Sequence, residues 1–97
     1  MPKAYWVVAI QQVDKPEQLV EYSKLAGPAI AAAGGRILAR GTAQHAYEAG
    51  QLARTVVTEF PSLEQALAAR EGAAYQAALK VLGDAAKRDF RIVEGVE

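Results

Sequence analysis

The residues best suited to chemistry are the single histidine, His45, and the arginines Arg36, Arg40 and Arg54. His45 is the only side chain whose unperturbed pKa lies near neutrality, which makes it the candidate general acid or base. A guanidinium presents a planar fork of donors that matches a carboxylate, so Arg36, Arg40 and Arg54 are candidates to hold an acidic ligand. The competing use is structural, because an arginine drawn partly out of water needs a counter-charge. A hairpin turning about Gly50 would set Arg40 beside Glu59 or Phe60, and Arg36 would meet Asp89 or Glu94. Glu59 therefore joins the candidate set. Tyr22 and Tyr75 fall in helical segments and would aim their hydroxyls at a small cavity. No metal site is expected, since one histidine without cysteine falls short of the three or four ligands such sites use. No phosphate cradle is expected either: Gly34-Gly35 follows a helix and precedes a strand, the reverse of what one requires. Nothing in the pattern calls for a cofactor.

The bulk properties narrow the partners. At 97 residues the chain reads as one domain, residues 1–97, burying roughly 60–65% of its unfolded surface and so building a modest core. Eleven basic and eleven acidic residues cancel, which argues against nucleic acid and against an anionic membrane surface. The absence of cysteine removes disulfides and thiolate nucleophiles. The N-terminal MPKAYWVVAIQQ lacks the layout of a cleavable signal, and no apolar run reaches membrane-spanning length, so a cytoplasmic location is the expectation.

The elements that must position these side chains are punctuated clearly. Ala4 to Gln12 is β-branched and aromatic and reads as a strand that is apolar on both faces, Tyr5-Val7-Ala9 on one and Trp6-Val8-Ile10 on the other. Asp14, with Pro16 and Glu17 behind it, predicts a helix start in capping-box spacing. Leu19, Tyr22, Ala26, Ile30 and Ala33 form its apolar stripe. Gly27-Pro28 predicts a kink or a division into two helices, and Gly34-Gly35 a stop. A second strand should run from Arg36 through Tyr47, with Arg36, Leu38 and Arg40 on one face, a bulge or bend at Gly41, and a turn at Ala49-Gly50-Gln51. Arg54 to Phe60 reads as the third strand. Ser62 caps a second helix whose inner side is expected to carry Leu63, Ala66, Leu67, Ala74, Ala77, Ala78 and Val81, with a break near Gly72. Asp89 to Val96 closes the chain as a fourth strand.

This order predicts an α+β, ferredoxin-like βαββαβ fold, a four-stranded antiparallel sheet with two helices on one face. One sheet face is then bare. An apolar sheet face left open marks an interaction surface, and its simplest occupant is a second copy of the chain, giving a homodimer through sheet faces. The function expected is the binding of a small organic carboxylate or aromatic ligand near the sheet, with cofactor-independent chemistry available to it. A non-catalytic assembly or regulatory module is the alternative.

Tyr22, Pro28, Gly34-Gly35-Arg36 with Arg40-Gly41, Glu59-Phe60-Pro61-Ser62, Tyr75-Gln76 and Val93-Glu94-Gly95 together resemble the small, mainly bacterial domain-of-unknown-function family 1330 over nearly the whole chain. The resemblance implies membership of the dimeric α/β-barrel superfamily, in which two ferredoxin-like subunits pair through their sheets. Members of that superfamily include cofactor-independent monooxygenases, isomerases, decarboxylases and haem-processing proteins. The resemblance implies no particular reaction.

Overall fold

The first strand decides which side of the sheet becomes the core. In the computed structural model, which describes residues 2–96, strand β1 runs Ala4–Val13. Ala4, Trp6 and Val8 are buried beneath helices, and Tyr5, Val7 and Ala9 lie half-covered on the other face. β1 is followed by α1 (Pro16–Ala32), β2 (Arg36–Thr42), β3 (Arg54–Phe60), α2 (Leu63–Glu71), α3 (Ala73–Leu82) and β4 (Ala86–Glu94). All pairings are antiparallel in the order β2-β3-β1-β4, so β1, the strand richest in apolar residues, lies inside the sheet. This is the ferredoxin-like arrangement anticipated, with the second helix divided into α2 and α3.

Local chemistry accounts for the helix ends. The Ser62 Oγ accepts the Gln65 backbone N–H at 3.2 Å and opens α2. Gly72 takes an extended conformation (φ −66°, ψ 153°), ending α2 and starting α3. That break resets the helical phase. Ala66 and Ala69 are buried before it and Tyr75, Ala78 and Leu82 after it, whereas Leu67, Ala74 and Ala77, expected on the inner side, are exposed.

α1 departs from expectation at two points. Its cap position is Lys15 without a side-chain cap, because the Asp14 and Lys15 N–H groups both donate to the Ala85 carbonyl (2.7 and 3.0 Å), tying the helix entrance to the start of β4. It is also one continuous helix through Pro28. Pro28 and Lys24 are exposed, so the Lys24 carbonyl that loses its donor faces water, and Gly27 has no Cβ to clash with the proline ring.

β2 is shorter than its alternation implied. It stops at Thr42, and residues 43–53 form an irregular loop closed by the Ala43 N–H donating to the Ala53 carbonyl (3.0 Å), with a tight turn at Tyr47–Gly50. Alanine, glutamine, histidine and glutamate there offer no apolar face to hold a ladder. The irregularity in β2 falls at Leu38, between Ile37↔Thr58 and Ala39↔Val57, rather than at Gly41. One inserted residue reverses the side-chain parity. Arg36 therefore points to the open face opposite Glu59, while Arg40 pairs with Val56 on the helix side, so the expected Arg40–Glu59 pair does not form. Lys3 takes Glu59 instead, at 3.4 Å. Arg36 is separated from β4 by two strands, which rules out Asp89 and Glu94 as partners, and Asp89 accepts two bonds from Arg91 (2.9 and 3.1 Å).

The centre of the core is Trp6, 2% exposed and ringed by Phe60, Tyr75 and Phe90 at centroid distances of 4.9, 5.0 and 5.1 Å. Its indole N–H donates to the Ala66 carbonyl at 3.0 Å, which pins β1 to α2.

Candidate functional site

α1 packs along α3 rather than lying down on β2 and β3. Between α1 and the sheet this leaves a cleft of about 370 Å³. Its floor is apolar, from Trp6, Val8 and Val56, and its roof is α1. Three strands deliver an arginine to it: Arg40 from β2, Arg54 from β3 and Arg88 from β4. The sheet register explains the convergence, because Arg54 and Arg88 are both Cα partners of Ile10 and so share its face, and Arg40 shares the face of Val56 and Val8.

Tyr22 from α1 and Tyr75 from α3 meet at the cleft wall with their hydroxyl oxygens 2.5 Å apart. The Arg88 Nη1 donates to both, at 3.0 Å to Tyr22 and 3.3 Å to Tyr75. The Arg88 guanidinium also lies over the rings of Tyr22 and Phe90, at 5.1 and 5.4 Å. Burial pushes the Tyr22 phenol well above its ordinary pKa, the neighbouring Tyr75 adds to the rise, and Arg88 opposes it. For Arg88 burial works against the charge, but the two tyrosine oxygens more than offset this and its pKa is raised. Among the described residues, none of the three cleft arginines has an aspartate or glutamate oxygen within 4.0 Å.

The structure thus brings four of the anticipated residues, Tyr22, Arg40, Arg54 and Tyr75, to one cleft. Arg36 and Glu59 lie on the other face of the sheet, and His45 sits exposed on the 43–53 loop, outside the cleft lining. Arg88 escaped the sequence reading, which began the last strand at Asp89. The signal was present: with a strand from Ala86, Arg88 falls in the same alternate set as Phe90 and Ile92, the apolar face. Among the described residues no group of three or more His, Cys, Asp or Glu could hold a metal ion, and no helix is long and apolar enough to cross a membrane.

Fold and cleft together define a ferredoxin-like protein with a pocket between the first helix and the sheet. Among solved structures the chain is similar to a protein of unknown function from Rhodopseudomonas palustris (TM-score 0.77, 13% identity, 99% of this chain and 84% of that one). A dimeric ferredoxin-like protein of unknown function from Thermobifida fusca is similar at TM-score 0.67 and 16% identity, over 97% and 92% of the two chains. A Nitrosomonas europaea protein provisionally assigned as an antibiotic biosynthesis monooxygenase follows at 0.63 and 21%, over 98% and 99%. No curated protein matches in sequence. The family model described as Domain of unknown function (DUF1330) matches residues 3–96, and the chain belongs to that family.

Proposed function

We propose that this protein is a homodimer that binds a small organic carboxylate in the cleft between α1 and the sheet. The observation that carries the reading is the convergence of Arg40, Arg54 and Arg88 on an apolar cleft where, among the described residues, no carboxylate neutralises them. A guanidinium beside a low-dielectric floor gains most from an anion it can grip at two points, and the floor suits an aromatic or aliphatic body. The homodimer is supported by the open sheet face, where Tyr5, Val7, Ala9 and Val57 are half-covered by no helix, and by solved relatives described as dimeric. If the cleft turns over its ligand, cofactor-independent proton chemistry falls to Tyr22 and Tyr75, and His45 takes no part.

A thermal-shift series with benzoate, phenylacetate and hexanoate, each beside its primary alcohol, tests this. A carboxylate at about 100 times its Kd stabilises by about 2.7 kcal/mol, which is a Tm rise on the order of 10 °C for a domain of this size. Arg54→Ala, at an exposed position, should fold normally and show a smaller rise. If no acid outperforms its alcohol, the ligand reading fails and the assembly module remains.

A further inference from the structure

The hydroxyls of Tyr22 and Tyr75 carry more protons than their protein partners accept. Each phenol has one proton to give and lone pairs to receive. The Arg88 Nη1 directs its donors to both oxygens, so both accept from it. In the Tyr22–Tyr75 bond one hydroxyl gives its proton to the other. The receiving hydroxyl keeps its own proton, and none of the described residues offers an acceptor for it. Arg88 likewise has Nη2 and Nε without a hydrogen-bond partner among the described residues. Tyr22 is 9% exposed and Tyr75 2%, and both line the cleft with Arg88, so the unspent donors face one shared space.

We propose that Tyr22, Tyr75 and Arg88 form a donor-rich receptor on the α3–β4 side of the cleft, in which one phenolic proton and the free guanidinium N–H groups together hold the carboxylate of the ligand. This rests on the carboxylate reading above and assigns the anchor within it. Arg40 and Arg54 lie across the floor, on the β2–β3 side, with the backbones of Arg54 and Arg88 separated by two strand spacings, about 10 Å. They face the remainder of the ligand or draw it in. The site offers a phenolic proton and several guanidinium N–H groups against a single leftover phenolic lone pair, and Arg88 is charged, so it favours a carboxylate over an alcohol and repels an ammonium group. The geometry also has an unusual redundancy. If either tyrosine loses its hydroxyl, the survivor no longer needs to donate to its neighbour and turns its proton to the ligand, so the loss should show fully only when both are removed.

The test combines two readouts. With the tyrosines carbon-13 labelled at Cζ, acetate and phenylacetate are titrated into the full chain, the Tyr22 and Tyr75 signals being assigned through the single Tyr→Phe variants. Both signals should move with either acid, while those of Tyr5 and Tyr47 stay fixed. Calorimetry then compares phenylacetate binding to the wild type, Tyr22→Phe, Tyr75→Phe and the double variant. Each single change should weaken binding less than about 3-fold, and the double change by about 10- to 100-fold. Binding of phenylacetate with unmoved Cζ signals, or a double variant that binds as wild type does, overturns the receptor and leaves the cleft reading intact. Cζ shifts with acetate but no response to the larger acids uphold the receptor and overturn the larger ligand. Silence in both readouts overturns both, and because the NMR arm uses the wild type, a double variant that fails to fold does not protect the idea.

Discussion

Raising the pH past 10 should destabilise the wild type more steeply than a Tyr22→Phe variant, and the two stability curves should cross. In the folded protein burial, followed by the presence of Tyr75, holds the Tyr22 phenol well above its ordinary pKa of 10. In the unfolded chain it titrates near 10. Below pH 10 both states are protonated and the contribution of this group is constant. Above pH 10 the unfolded state binds fewer protons, so stability falls as pH rises, by at most about 1.4 kcal/mol per unit. Integrated to pH 12, the loss from this one group approaches about 2.5 kcal/mol, a large share of the roughly 5–15 kcal/mol that stabilises an ordinary domain. Tyr22→Phe removes the slope but also two hydrogen bonds, with Tyr75 and from Arg88, together worth about 2 kcal/mol at neutral pH. The variant should therefore be the weaker protein at pH 8 and the stronger one at pH 12, with the crossing at about pH 11.5. Urea midpoints followed by far-UV circular dichroism, at fixed protein concentration, would trace both curves, and the 295 nm absorbance difference between wild type and Tyr22→Phe would report the late ionisation of Tyr22. Parallel curves over pH 9–12 would refute the burial argument for Tyr22.

Three further outcomes follow from the packing. Gly35→Ala would place a Cβ 2.5 Å from the Ile30 Cγ2 and 2.8 Å from the Phe60 ring, so it should cost about 1–3 kcal/mol, seen as a Tm fall on the order of 10 °C. Trp6→Phe removes the bond to the Ala66 carbonyl and leaves a cavity among Phe60, Tyr75 and Phe90; denaturant unfolding should show a loss of about 3 kcal/mol. Val7→Asp, on the open face, should leave a folded chain by circular dichroism that sediments at the single-chain mass, whereas on the proposed homodimer the wild type should sediment at twice that mass. A wild type that sediments as a single chain would instead remove the homodimer.

Much of this fold was legible because its signals are local. The β-branched run of Arg54–Phe60 matches β3 end to end, the Ser62 cap and the Gly72 break stand where their chemistry put them, and Tyr22, Ala26 and Ile30 form the buried stripe of α1. What escaped was decided by pairing between distant segments. Asp14 looked like a helix cap, yet its neighbourhood is committed to the Ala85 carbonyl, a contact invisible in the local pattern. The start of β4 is set by Val13↔Ala86, across a shift in β1 between Ile10 and Gln12. No property of Lys87 or Arg88 announces that pairing.

The candidate site depends on the same kind of event. Simple alternation from Arg36 carries Arg40 to the face of Glu59, where the pair would neutralise itself and the cleft would lose one of its cations. The extra residue at Leu38 turns Arg40 through to the face of Val56 and leaves Glu59 to Lys3 on the other side. A side-chain period of two makes this outcome all-or-none, because a slip of one residue exchanges the faces completely. The separation of charge in this protein, cationic in the cleft and with Glu59 kept on the open sheet, therefore follows from one bulge together with a last strand that begins early enough to include Arg88. The place of Arg40 follows only once the register across the sheet is known, and the alternation of Arg88 with Phe90 and Ile92 gains its meaning only once β4 is known to begin at Ala86.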